Sequence, residues 1–99
     1  MAPFEALRLE DAVPTTLRLY GEPEQYNLVE LQRRDQREGV VRWSINLRGY
    51  CLNQRTQDWE WEPQPSSRED EFLRDCRFES AEAAFAAWRA ARAHGLVIA

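Results

Sequence analysis

The 99 residues suffice for one hydrophobic core and not for two, and the 11% aromatic content within a hydrophobic fraction of 43% supplies that core without disulfide or metal support. Charged residues make up 30% of the chain with a net charge of −4, a mixture too balanced in sign for a disordered segment. The pI near 5.0 argues against a dedicated nucleic-acid domain, for which values above about 9 are usual.

Residues 1–14 hold scattered apolar positions, two prolines and no sustained period. They read as a loosely ordered N-terminal arm ahead of a single α+β domain over residues 15–99. A basic start followed by an apolar stretch is missing, and nowhere do about 18 apolar residues run together, so a cytoplasmic location without membrane contact is expected.

From Thr15 the pattern has period two: Leu17 and Leu19 alternate with Arg18 and Tyr20, and residues 21–25 supply turn chemistry. A second strand over about residues 26–33 places Val29 and Leu31 on one face. The third is the clearest, with Val41, Trp43, Ile45 and Leu47 alternating strictly with Arg42, Ser44, Asn46 and Arg48. Gly49 permits a tight turn, after which residues 50–53 and 58–62 form a last hairpin with Trp59 and Trp61 on one face and Asp58, Glu60 and Glu62 on the other.

Prolines at 63 and 65 end the sheet, and Ser66 with Glu69 has capping-box spacing for a short helix over about residues 67–75. Ser80 caps a second helix over about residues 81–94, in which Ala81, Ala84, Phe85, Trp88 and Ala91 follow the 3.6 period and Gly95 stands at the C-terminal cap. The expected fold class is therefore α+β: a small antiparallel meander of four to five strands followed by a short helix and a longer C-terminal helix packed on one face. The open face of such a sheet is the natural place for a function.

Chemistry-bearing groups are sparse. Cys51 and Cys76 lack CxxC spacing and a histidine cluster, so they read as free thiols and no metal site is expected. His94, the lone histidine, sits at a helix C-terminus where an imidazolium suits the dipole, leaving no partner for a serine or cysteine nucleophile. The acids at 60, 62, 69, 70 and 71 match no cation-binding loop and read as a solvated face, and the four glycines build no phosphate cradle. No catalytic residue and no cofactor is assigned, and the chain is expected to be non-enzymatic.

All thirteen basic residues are arginine, most simply a bias of the coding sequence. Their distribution is more telling: residues 33–55 hold six arginines against Asp35 and Glu38, a local balance of +4, whereas residues 58–82 hold nine acids against three arginines, a balance of −6. The leading expectation is a binding module that meets a protein partner or a second copy of itself, as a homodimer, through Trp59, Trp61, Pro63 and Arg68. The alternative is single-stranded nucleic acid on the open face, with Arg42, Arg48 and Arg55 on phosphates and Tyr50 stacking a base. The order of sheet, Trp-containing strand and a late FESAEAAF helix resembles the layout of WGR domains, which contact DNA. The defining triplet would fall at Trp43-Ser44-Ile45, where neither Gly nor Arg stands, so membership does not follow.

Overall fold

The computed structural model describes residues 16–25, 27–37, 40–64 and 67–98; the N-terminal arm of residues 1–14 and the proposed Ser66 cap lie outside them. Five antiparallel strands form one sheet in meander order: β1 (Thr16–Tyr20), β2 (Val29–Arg37), β3 (Val40–Leu47), β4 (Tyr50–Asn53) and β5 (Asp58–Trp61). Two helices follow, α1 (Asp70–Cys76) and α2 (Ala81–Ala93). The α+β class and the meander are as the hydrophobic pattern predicts.

Register explains the first face. Val29 lies opposite Leu47 and Leu31 opposite Ile45, and because opposed residues share a face, the alternating apolar positions of β2 and β3 form one continuous surface. Leu52 and Trp59 extend it across β4 and β5. α2 covers this surface with Ala81, Ala84, Trp88 and Ala91, the alanines allowing close approach while Trp88 fills the space between helix and sheet. Val41, Phe85 and Ile98 pack at the margins of the same core.

Local chemistry fixes the ends of α2. The Ser80 hydroxyl accepts from the Ala83 N–H at 3.0 Å. At the other end Gly95 adopts φ +97°, with Gly95 N–H donating to Arg92 O and Leu96 N–H to Ala91 O, the two bonds of a Schellman cap. A two-residue turn of Arg48 and Gly49, both left-handed at φ 49° and 84°, joins β3 to β4 in the conformation that matches strand twist.

The second face of the sheet is less open than its polar sequence suggests. By the same register Cys51 and Glu60 point away from α2, and α1 lies there, packing Phe72, Leu73 and Cys76 against Cys51. Helix α1 begins three residues later than the capping-box spacing predicts, after Glu69, whose side chain makes no cap bond. The freed residue Arg68 turns back instead toward the end of β5.

Between the helices the chain crosses from one face to the other. Phe78 exchanges both backbone hydrogen bonds with Trp43, at 3.0 and 2.8 Å, and so occupies the place next to β3 that the four-residue β4 does not reach. Its ring enters the α2 core, whereas the preceding Arg77 is buried and reaches Glu62 at the end of β5. Ser44, on the face opposite the α2 core, is fully buried.

Trp43 joins sheet, bridge and helix, so Trp43→Ala should cost about 3 to 5 kcal/mol, the range for removing a buried aromatic. A urea unfolding midpoint displaced by that amount, with an unchanged denaturant slope, is the expected result.

Candidate functional site

The polar face of the sheet is organised by one carboxylate. Glu62 follows β5, and its Oε2 is approached by the guanidinium groups of Arg34 from β2, Arg68 at 2.6 Å from the loop before α1, and Arg77 at 3.1 Å from the crossing segment. Its Oε1 accepts from Asn46 Nδ2 at 3.1 Å. The network continues across the strands: Ser44 Oγ donates to Asn46 Oδ1, Arg34 donates to Gln32 at 2.8 Å, and Gln32 donates to Glu30 at 3.1 Å. The Glu62 side chain is 8% exposed and that of Arg77 1%. Burial pushes the Glu62 carboxyl up, but the charge and hydrogen bond of Arg77, the charge of Arg34 and the bond from Asn46 outweigh it, so Glu62 titrates below the ordinary carboxylate range.

This cluster corrects the expectation that Glu62 belongs to a solvated face. Three guanidinium groups on one carboxylate leave two positive charges in excess at that point. The excess lies beside a cleft of about 520 Å3 whose walls include Arg34, Arg48, Arg68, Trp61 and Pro63.

On the other side of Trp61 and Pro63 the sign reverses. A second cleft of about 260 Å3 is walled by these same two residues together with Glu60, Glu69, Glu71 and Asp75. Asp75 is tied to Arg55 at 3.0 Å and to Arg74 at 3.4 Å, and the Arg55 hydrogen bond is the main reason its carboxyl is held below the ordinary value. Basic and acidic clefts thus share one apolar ridge.

The two tryptophans of β5 have different surroundings. Trp59 packs against Trp88 of α2 with ring centres 6.3 Å apart, and its indole N–H donates to Val97 O at 2.9 Å. Trp61 is 62% exposed. Its ring stands edge-on to Tyr50, centroids 5.3 Å apart, and lies over Gly49, where an added Cβ would meet the indole at 2.9 Å. Of the residues read as a protein-binding set, Trp61 and Pro63 form the ridge, Arg68 donates to Pro63 O and Glu62 beneath it, and Trp59 lies beside α2.

The residues read as a nucleic-acid set do not share one surface. Arg48 and Tyr50 flank Gly49 at the β3–β4 turn, near Trp61. Arg42 lies farther along β3, bonded to Val41 O and beside Arg74, Arg77 and Glu79, and Arg55 is on the β4–β5 turn against Asp75.

Both cysteines are free thiols buried in the fold. Cys51 donates to Glu60 O at 3.4 Å, and the Cys76 thiol is pushed far above its ordinary value, first by its hydrogen bond with Cys51 and then by burial, so it is no thiolate at neutral pH. Among the described residues no group of three or more His, Cys, Asp or Glu is placed to hold a metal ion, and no helix is long and apolar enough to cross a membrane. No family model, curated protein or solved structure matches the chain.

Removing the Glu62 charge leaves Arg77 buried among like charges, so Glu62→Gln should cost about 3 kcal/mol, the lower end for a broken buried pair because Arg34 reaches solvent. A carboxyl whose folded pKa is lowered stabilises the fold above its unfolded value of about 4.3 and loses that contribution as pH falls through the folded pKa. Urea titrations between pH 6 and pH 3 should therefore show wild-type stability falling below about pH 4.3, and a shallower fall in Glu62→Gln. Asp75 keeps part of the acid sensitivity in both proteins.

Proposed function

We propose that this chain is a non-enzymatic binding module that engages a protein partner through the ridge of Trp61, Tyr50 and Pro63. The observation that carries the reading is the exposure of Trp61 together with its support. A large indole is left in water, yet it is held in place by Tyr50 and the bare backbone of Gly49. Tryptophan is among the residues most enriched at interface hot spots, and a ring already ordered in the free protein loses little conformational freedom on binding. The polar clefts on either side supply the charged rim that gives such contacts their orientation.

Nucleic acid is less well supported. Arg48 and Tyr50 stand together, but Arg42 and Arg55 lie elsewhere, and a net charge of −4 opposes approach to a polyanion.

The test is association of the full chain, followed by sedimentation for the chain alone and by affinity capture from lysate with and without nuclease treatment. Trp61→Ala should weaken the association about fivefold to thirtyfold, equivalent to 1 to 2 kcal/mol, while the thermal melt stays within a few degrees of wild type. Association that is indifferent to Trp61→Ala, or that disappears with nuclease, contradicts the reading.

A further inference from the structure

We infer that the partner seated on this ridge is a second copy of the chain, related by a two-fold axis that passes through Trp61. The inference rests on the protein-binding reading of the ridge and adds the identity of its occupant. Trp61 and Pro63 form a shared wall: one side carries Arg34, Arg48 and Arg68 against Glu30 and Glu62, and the other carries Glu60, Glu69, Glu71 and Asp75 against Arg55. The first side is net positive by one and the second net negative by three.

A surface with opposite charges on either side of a central apolar ridge is complementary to itself. Rotation by 180° about an axis lying along the ridge brings the basic cleft of one copy over the acidic cleft of the other, and the same contact is made twice. This is the isologous geometry of closed dimers, in which residue i meets residue j and j meets i. The two indoles meet at the centre, where hot spots concentrate, and the charged clefts form the rim.

Charge complementarity also decides the orientation. A two-fold axis lying across the ridge would instead set arginine against arginine and carboxylate against carboxylate, which like-charge repulsion penalises. The net charge of −4 on each copy opposes the encounter at long range, but at 0.15 M salt that repulsion is screened beyond about 8 Å, leaving the facing clefts to decide. Glu69 makes no cap bond to α1 and Arg48 lies on an exposed turn, so both are suited to reversal without dismantling the Glu62 cluster.

Sedimentation equilibrium of the full chain, up to about 1 mM, should reveal a monomer–dimer equilibrium. Arg48→Glu and Glu69→Arg, each melting as wild type does, should separately weaken the dimer about tenfold. An equimolar mixture of the two variants should regain association, because one of the two symmetry-related contacts then pairs the reversed charges. A chain that stays monomeric throughout this range, or charge-reversed variants that do not recover on mixing, overturns the two-fold arrangement. If Trp61-dependent capture of a different protein persists in the monomeric case, the ridge remains a binding surface and only its occupant has been misassigned. If Trp61→Ala is without effect on either measurement, the binding reading itself falls.

Discussion

Four separate parts of the chain meet at the Glu62 carboxylate: β2 through Arg34, β3 through Asn46, the loop after β5 through Arg68, and the segment between the helices through Arg77. A buried guanidinium is tolerated only when it is paired, so each of these segments is constrained by the position of the same two oxygen atoms. The pairing is also what allows Arg77 to leave α1 toward one face while Phe78 enters the core on the other. Without an anion at the end of β5, the chain would bring a charge into the interior at the point where it crosses the sheet.

The arrangement of the surface follows from that constraint. Arg68 is drawn back to Glu62 and Pro63 and is thereby held against the end of β5. Trp61 and Pro63 then stand between the two clefts as their shared wall. The basic cleft takes its sign from Arg34, Arg48 and Arg68 in its walls, which outnumber Glu30 and Glu62 by one, and the acidic cleft takes its sign largely from carboxylates at the start of α1, where negative charge also suits the helix dipole. Trp61 stands on the divide because Gly49 has no side chain to occupy the space under its ring.

The elements legible in the sequence are those whose signal is local. Strict alternation from Val41 to Leu47 specifies the face of β3, since a one-residue slip would reverse every side chain, and the caps of α2 are written in Ser80 and Gly95. The Glu62 cluster is not local: Arg34 lies 28 residues away, and the face it shares with Glu62 becomes covered only because α1 packs on Cys51. Period-two patterning marks Glu62 as facing away from the α2 core, which is correct, but polar alternation does not tell a wet face from a buried polar network. Trp59 and Trp61 are indistinguishable by pattern for a related reason. They share a face, and what separates them is the reach of Trp88 and of the chain end at Val97 over the first and not the second.

The dependence of the fold on the Glu62 cluster is measured most directly by a double-mutant cycle in urea between Glu62→Gln and Arg77→Met. If the carboxylate is what makes a buried guanidinium tolerable, the two changes will be strongly coupled: the double variant will be more stable than Glu62→Gln alone, with an interaction energy of at least about 2 kcal/mol. Effects that add to within about 0.5 kcal/mol would mean that Arg77 and Glu62 are held independently, and would contradict the account.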